Sequence, residues 1–357
     1  MNGKKCFVKR NNTFCDIIFV YKEQGWGIQM EIGKVPTEIL KEVIFSNIKH
    51  RRPEVLVRPN IGEDCAVVDF GEYVCVMSTD PITGAIKDIG SLAVHISCND
   101  IASSGVEPLG IMLTIMAPPN TTKEDLGFVM AEANKAAASI NVEIIGGHTE
   151  ITDAVNRMVI NATAIGRQLK SKLVLSKGAR LGDAVLMTKH AGLEGVAILA
   201  RDLEDQLKDK ISTNIIKSAQ DFSKDISVVK EGILASTIGV NSMHDVTEGG
   251  IFGALWELGE ASGLGIEVYE NNINVRNETI EICEQFSINP MRLISSGVMV
   301  MTLPQSKKDL LIDAFKKENM EIKEIGKMVE KDRIIINGEQ IRELEPPDVD
   351  ELYKAYK

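Results

Sequence analysis

Asn60-Ile-Gly-Glu-Asp-Cys-Ala-Val67 places two acidic residues directly before a run of β-type residues. This run, Cys65–Phe70, is followed after a two-residue turn by a second run, Tyr73–Ser78. Such spacing predicts two strands joined by a tight turn. Asp64 stands at the entry of the first strand, and Asp80 stands where the second strand ends, directly before a proline. The stretch therefore predicts β-structure with carboxylates at the strand ends.

Helical and strand-like patterns alternate on both sides of these two strands. Apolar residues at helical spacing predict helices over residues 35–48, 88–104, 122–140, 193–205, 213–238, 250–261 and 307–318. Further strands are predicted over residues 109–116, 142–145, 157–165, 184–188, 266–269, 298–303 and 333–336. A polar, Lys-rich stretch at 166–178 separates two sets of elements. The sequence thus predicts a mixed α/β fold with an N-terminal domain at 33–167 and a C-terminal domain at 178–340.

Residues 1–32 are interpreted as an extension ahead of the first domain. Residues 17–21 form an apolar patch after several Lys and Arg residues. The patch is shorter than the apolar core of a signal peptide, and no small-residue cleavage site follows it. Met30 begins a segment with the form of a domain start. We therefore expect that the first residues reflect a mis-assigned start.

Composition excludes several classes of function. The 357 residues carry a net charge of -11 at pH 7, which argues against nucleic-acid binding. No apolar run reaches the roughly 18–20 residues that a membrane span needs. The six cysteines form no C-x-x-C pair and no zinc-type cluster, so reduced thiols and a cytoplasmic protein are expected. An anionic ligand such as a nucleotide would need a metal ion or a local positive group to offset the charge.

Acidic residues recur in short motifs beside predicted strands and helices. Asp100 lies in Cys98-Asn-Asp-Ile101, Glu150 ends Gly146-Gly-His-Thr-Glu150, and Asp245 lies in His244-Asp-Val-Thr-Glu-Gly-Gly250. Converging carboxylates suit Mg²⁺, which takes oxygen ligands and phosphate oxygens. Common phosphate-binding, zinc-protease and serine-hydrolase motifs do not occur. Turn residues, helix caps and a strand-ending glycine pair explain the same positions structurally, so both interpretations stay open at this point.

Taken in order, the five motifs resemble those of the PurM-like superfamily. This group includes aminoimidazole ribonucleotide (AIR) synthetase, the hydrogenase maturation factor HypE, thiamine-monophosphate kinase and selenophosphate synthetase. The resemblance covers roughly Gly33 to Ile336. It implies a homodimer in which the N-terminal domains share an intersubunit β-barrel, and a C-terminal α/β sandwich. It also implies ATP and Mg²⁺ as cofactors.

The resemblance assigns roles to individual residues. The metal or phosphate-site residues it implies are Asp64, Asp80, Asp100 and Asp245. The catalytic candidates are Asp64, Asp100, His148 and Asp245. The nucleotide or substrate pocket is expected to include Thr79, Asp80, Asn99, Gly146, Gly147, Thr149 and Glu150. His148 and His244 each stand beside a motif acid, and either acid–base chemistry or a structural role explains them.

Differences among the relatives favour a HypE-like protein. The motif at 244–250 and the one at 146–150 are closest to HypE, but no cysteine follows Cys283, so a cysteine-bearing tail is not expected. Thiamine-monophosphate kinase carries an acidic residue where this chain has His148. We therefore expect an enzyme that uses ATP to activate an amide- or carbamoyl-type oxygen of a small molecule or of a protein-borne group, with other maturation proteins as candidate partners. The alternatives are a non-catalytic ATP-binding scaffold or regulator and a thiamine-monophosphate-kinase-like enzyme.

Overall fold

The structure, a computed structural model, describes residues 33–83 and 88–356, so the predicted N-terminal extension lies outside the described residues. The first element is a helical segment in three short pieces, Thr37–Ile39, Leu40–Ile44 and Phe45–Asn47. An ion pair of 2.8 Å between Lys41 and Glu260 ties this segment to the second half of the chain. Within the described residues, the helices are too short or too polar to cross a membrane.

The N-terminal half forms a six-stranded sheet covered on one face by two helices. Its strands are β1 (Val55–Val57), β2 (Ala66–Phe70), β3 (Tyr73–Ile82), β4 (Pro108–Ala117), β5 (Glu143–Ile151) and β6 (Val159–Leu169), and its helices are α1 (Ile89–Ser103) and α2 (Lys123–Ser139). The spatial order is β1-β2-β3-β6-β4-β5. Neighbouring strands are antiparallel except β4 and β5, which are parallel. Thr122 and Asp125 begin α2 with a reciprocal capping box.

Strand β5 is longer than the sequence predicts. The predicted strand at 142–145 continues to Ile151, so the Gly-Gly-His-Thr-Glu motif lies within an exposed edge strand and not in a loop. The glycines explain the continuation, because a Cβ on Gly147 would lie 2.0 Å from the carbonyl oxygen of Leu113 on β4. Gly147 therefore allows the strand to stay paired with β4 as far as Ile151.

The C-terminal half is built on a seven-stranded sheet. Its strands are β7 (Ala184–Thr188), β8 (Ser242–Val246), β9 (Gly265–Tyr269), β10 (Val298–Leu303), β11 (Ile322–Val329), β12 (Arg333–Asn337) and β13 (Gln340–Glu343). The spatial order is β13-β12-β9-β11-β7-β10-β8. Its helices are α3 (Leu193–Asp202), α4 (Glu204–Leu207), α5 (Thr213–Asp221), α6 (Val229–Ile238), α7 (Gly250–Ser262), α8 (Asn277–Phe286) and α9 (Lys308–Lys317). The mixed α/β class is confirmed.

The single helix predicted over 213–238 is wrong, because the chain breaks between α5 and α6. Asn99 of α1 explains the break: its amide donates to the carbonyl of Ile226 (2.8 Å) and accepts from the backbone N–H of Val228 (2.9 Å). These two backbone groups are bound by α1 instead of by a continuous helix. Helix α6 then packs closely on α1 at Gly232, where a Cβ would lie 2.4 Å from the carbonyl oxygen of Ala102. The two halves of the chain therefore meet along α1.

Candidate functional site

An acidic cavity of about 240 Å³ lies at this junction. Asp64, Asp80 and Asp100 line it from the N-terminal half, together with Glu63. Thr247, Glu248, Ile294 and Ser296 line it from the C-terminal half, and Lys34 is the cation among the described lining residues. The predicted carboxylates before β2, on β3 and on α1 therefore converge on one space.

Strand alternation decides which residues of β3 reach the cavity. Side chains at positions 78 and 80 share the face toward α1, because successive residues on a strand point to opposite faces. Thr79 therefore points the other way, where its hydroxyl lies 2.9 Å from that of Thr163 and accepts from the Asn161 amide at 3.0 Å. Thr79 therefore does not line this cavity, although its neighbour Asp80 does, and its assignment to the nucleotide or substrate pocket stays a prediction.

Two carboxylates of the cluster are deeply buried. Asp100 is 5% exposed and accepts a hydrogen bond from Ser78, and Asp245 is 1% exposed with no hydrogen-bond partner for either oxygen among the described residues. Burial, together with Asp245 and Asp80, raises the pKa of Asp100 well above its ordinary value. Burial and the nearby Asp64 raise the pKa of Asp245 to about 7. Ionised carboxylates in this setting require a positive partner.

His244 links the two halves of the site. Its Nδ1 lies 2.6 Å from Asp64 and its Nε2 lies 3.1 Å from Glu257, and the ring is buried. A ring between two carboxylate acceptors donates from both nitrogens only as an imidazolium. Burial alone would lower the pKa of His244, but Asp64 and Glu257 raise it well above its ordinary value. The charged ring therefore holds Asp64 in place, which favours a positioning role over acid–base chemistry.

The donor atoms fit a hard divalent cation. One ligand atom from each of Asp64, His244 and Asp245 lies within 4.8 Å of the others. Both His244 nitrogens already face carboxylates, whereas both oxygens of Asp245 lack a partner among the described residues. Oxygen ligands are those that Mg²⁺ prefers. The carboxylates of Asp64 and Asp245 are therefore the best-placed ligands, and Asp80 lies close enough to Asp100 to contribute to the raised pKa of that residue.

Several predicted pocket residues do not reach the cavity of their own chain. Asn99 is fully buried and binds the backbone of the break between α5 and α6, so its role here is structural. The residues from Gly146 to Glu150 lie on β5, which β6 and β4 separate from β3. His148 and Glu150 form an exposed pair at 3.2 Å. The assignment of these residues to the nucleotide or substrate pocket therefore stays a prediction: Asn99, Gly146, Gly147, His148, Thr149 and Glu150 do not line the cavity within one protomer.

The structure also adds residues that the sequence did not indicate. Lys34 donates to the Thr247 hydroxyl at 3.1 Å and lies 3.4 Å from Glu248, with its side chain half exposed. Glu248 and other nearby carboxylates raise the pKa of Lys34 well above its ordinary value. Glu257 and Ser296 are the other additions. None of these residues stands in a recognisable motif, so only tertiary packing identifies them.

Comparisons with known proteins identify the relatives of this chain. Sequence profiles of the N-terminal and C-terminal domains of AIR synthase related proteins match residues 62–168 and 180–339. A putative hydrogenase expression/formation protein of Methanocaldococcus jannaschii is 29% identical over 79% of this chain and 83% of its own. The carbamoyl dehydratase HypE of Cupriavidus necator is 28% identical over 72% of this chain and 74% of its own.

Solved structures share the fold. The HypE–HypF complex contains a chain that superposes with a TM-score of 0.71 at 23% identity, covering 87% of this chain and 99% of that chain. HypE in complex with ATP superposes with a TM-score of 0.64 at 21% identity, covering 91% and 98%. At these identities the similarity establishes the fold.

Proposed function

Because the chain belongs to the AIR synthase related family within the PurM-like superfamily, we propose that it is a Mg²⁺-dependent, ATP-using enzyme of the HypE type that dehydrates a carbamoyl or primary amide group. One observation carries the proposal: the buried carboxylate of Asp245 lacks a partner among the described residues and lies beside Asp64, which lines the acidic cavity. Such a cluster needs a cation, and Mg²⁺ bound to ATP supplies one together with a substrate.

Each acid then has a role. Asp64 and Asp245 hold the metal, while Asp80 and Asp100 complete the acidic wall that faces the phosphates. Bound Mg²⁺ supplies the positive charge that offsets the phosphate groups. The Lys34 ammonium, at the same cavity, exchanges its contact with Glu248 for a phosphate oxygen. His244 and Ser78 keep Asp64 and Asp100 in place through the hydrogen bonds described above.

The proposed reaction removes the amide oxygen as phosphate. The carbonyl oxygen of the acceptor attacks the terminal phosphorus of ATP, and ADP leaves. The C–O bond then breaks, the nitrogen loses its two protons, and the products are a nitrile, ADP and inorganic phosphate. The site contributes mainly positioning and charge neutralisation. The names of the relatives, which include carbamoyl dehydratases, support this choice of acceptor.

We propose a homodimer formed through the N-terminal sheet. Strand β5 is an exposed edge, and the β4–β5 surface carries exposed apolar side chains: Leu109 (52%), Met112 (41%), Ile145 (48%) and Ile151 (52%). An exposed edge strand with apolar side chains favours pairing with a second strand, because its outer backbone groups are unpaired and its apolar surface is in water. A second copy there would make the motif on β5 available to the nucleotide site of its partner. Maturation proteins are further candidate partners, because a HypE–HypF complex exists among the similar structures.

Oxygen labelling tests the proposed reaction. The purified protein is incubated with Mg-ATP and a thiocarbamate labelled with ¹⁸O at its carbonyl, and phosphate is analysed by mass spectrometry. We expect one labelled oxygen in each phosphate released, with ADP and the nitrile in equal amounts. Unlabelled phosphate would indicate ATP hydrolysis by water instead. Nucleotide binding without turnover would indicate a scaffold, and conversion of thiamine monophosphate to the diphosphate would indicate a kinase.

A further inference from the structure

The ammonium of Lys189, at the end of β7, lies in a cage of four oxygen atoms. Its Nζ donates to the carbonyls of Asp225 (2.9 Å), Ser227 (2.7 Å) and Gly297 (2.9 Å). The carboxylate of Glu231 lies 2.8 Å away and completes the cage, and the two charged side chains are only 17% and 7% exposed. An ammonium has three N–H donors, so four oxygens at this distance are more than its hydrogen bonds can serve one by one. The cage therefore resembles the coordination shell of an ion.

The carbonyl groups of the cage come from two segments that touch each other. Asp225 and Ser227 lie in the break between α5 and α6, and Gly297 lies in the loop before β10. A Cβ on Gly297 would lie 2.7 Å from the carbonyl oxygen of Asp225, so the loop packs directly on the break. Because the carbonyl oxygens of both segments face one point, they repel each other unless a positive charge lies between them. The Lys189 ammonium supplies that charge.

The backbone at Lys189 does not itself favour a lysine. Its φ of 52° lies in the left-handed region, which costs free energy for a residue with a side chain and suits glycine. The N–H of Lys189 donates to the carbonyl of Glu321 at 3.3 Å, and its carbonyl accepts from the Asn274 amide at 3.1 Å. These bonds need only the backbone of residue 189. The contacts of the ammonium are therefore what a lysine adds at this position.

Both segments of the cage continue into the acidic cavity. Ser296 lines the cavity, and the next residue, Gly297, contributes its carbonyl to the cage. In the break, Ile226 lies between the two cage carbonyls and is bound through its own carbonyl by Asn99, whose neighbour Asp100 lines the cavity. A shift of the loop against the break would therefore move the cavity wall of the C-terminal half relative to α1.

We propose that the Lys189 ammonium is a tethered cation, which fills a site for a monovalent cation and holds the loop before β10 against the break between α5 and α6. Rings of backbone carbonyls coordinate such ions in other proteins. Removal of the side chain therefore leaves a site that takes an ammonium ion from solution. Lys189 acts as a positioning residue for the cavity wall. The cation site goes beyond the proposed function, and only its effect on nucleotide binding rests on that function.

Lys189→Gly tests the cation site, because glycine suits the left-handed turn and leaves the cage open. Thermal unfolding is followed by circular dichroism in ammonium chloride and in tetramethylammonium chloride at equal ionic strength, since the larger ion is too bulky for the cage. In tetramethylammonium we expect the Tm of the variant to lie roughly 5 °C or more below that of wild type, because the buried Glu231 carboxylate loses its cation. Ammonium should restore at least half of this loss.

The matched control is Lys189→Met, which fills the same space without a charge. It should be less stable than wild type in both salts and gain nothing from ammonium. The inference is overturned if Lys189→Gly falls below wild type by the same amount in both salts, or if Lys189→Met responds to ammonium as strongly. If Lys189→Gly folds in neither salt, Glu231→Gln decides, because it removes the carboxylate from the cage: a lowered Tm supports the inference, and a wild-type Tm overturns it.

Calorimetry with the non-hydrolysable ATP analogue Mg-AMPPNP tests the link to the cavity. The affinity of Lys189→Gly should fall roughly threefold or more in tetramethylammonium and recover in ammonium. An unchanged affinity in both salts, alongside an ammonium-dependent Tm, would support the cation site and overturn its positioning of the cavity wall. Wild-type protein that binds no nucleotide would overturn the proposed function and leave the Tm test of the cation site intact.

Discussion

Replacing Asp245 with asparagine should stabilise the metal-free protein and remove its response to magnesium. The carboxyl group is 1% exposed, and burial together with Asp64 and Asp80 raises its pKa from 3.8 to about 7. At pH 8 the folded protein therefore holds an ionised carboxylate in an unfavourable place, which costs up to about 4 kcal/mol. Proton sharing with Asp100 and local relaxation reduce this figure, so we expect a gain of roughly 2–3 kcal/mol for Asp245→Asn.

The pH dependence gives the sign of this effect. Between about pH 4 and pH 7, folded wild-type protein binds more protons at Asp245 than the unfolded chain does, so its unfolding free energy falls as the pH rises through this window. The asparagine variant lacks this contribution. Its advantage should therefore be largest at pH 8 and small at pH 4.5. For a domain of this size, 2–3 kcal/mol corresponds to a rise in Tm of roughly 4–12 °C.

Thermal unfolding followed by circular dichroism, in EDTA and then in excess Mg²⁺, measures both effects. Magnesium should raise the Tm of wild-type protein and leave that of Asp245→Asn unchanged. Asp183→Asn is the control, because the buried Asp183 carboxylate accepts from the Asn241 amide at 2.8 Å and from the backbone N–H of Arg180 at 2.9 Å. Its replacement should destabilise the protein. A less stable Asp245→Asn protein at pH 8, or an equal magnesium response in both proteins, would refute the reasoning.

Three further predictions concern neighbouring residues. His244→Gln should lower the unfolding free energy by about 3 kcal/mol in urea titrations, because it leaves two partly buried carboxylates, those of Asp64 and Glu257, without their shared cation. An unchanged midpoint would contradict the positioning role. Lys34→Ala should weaken the binding of Mg-AMPPNP, measured by calorimetry, more than that of Mg-ADP, because Lys34 is proposed to contact a phosphate oxygen. The control Lys41→Ala, which loses only its ion pair with Glu260, should change neither affinity. Equal losses of affinity for both nucleotides would place Lys34 away from the terminal phosphate. Asn99→Ala should lower the free energy of unfolding by about 2 kcal/mol, because it leaves two backbone groups unpaired, and the folded variant should keep its affinity for Mg-AMPPNP. Loss of affinity without loss of stability would indicate that Asn99 belongs to the nucleotide site.

Local sequence patterns predict much of the fold. The two strands after Asp64 are confirmed as β2 and β3, and the strand at 184–188 has the predicted limits. The sequence pattern does not predict strand β11, because its charged residues alternate irregularly around a register shift near Gly326. Strand β8 was missed because Ser242, His244 and Asp245 are polar although buried. The domain limits 33–167 and 178–340 stay predictions.

The sequence predicts the acidic residues of the site, because carboxylates in loops and at the ends of strands and helices stand in short motifs. The sequence does not predict that these carboxylates converge, because the contact between Asp64 and His244 joins residues 180 positions apart. The side of the strand on which Thr79 lies, and the extension of β5 through a glycine pair, also depend on pairing with neighbouring strands.

Calorimetric titration of ATP tests the central claim most directly. Wild-type protein, Asp64→Asn and Asp80→Asn are titrated with ATP in Mg²⁺ and again in EDTA, after circular dichroism has shown that all three fold. We predict binding by wild-type protein in Mg²⁺, none in EDTA, and loss of the magnesium-dependent binding in both variants. Equal binding with and without Mg²⁺, or no binding by folded wild-type protein, would contradict the assignment of the acidic cavity as a Mg-ATP site.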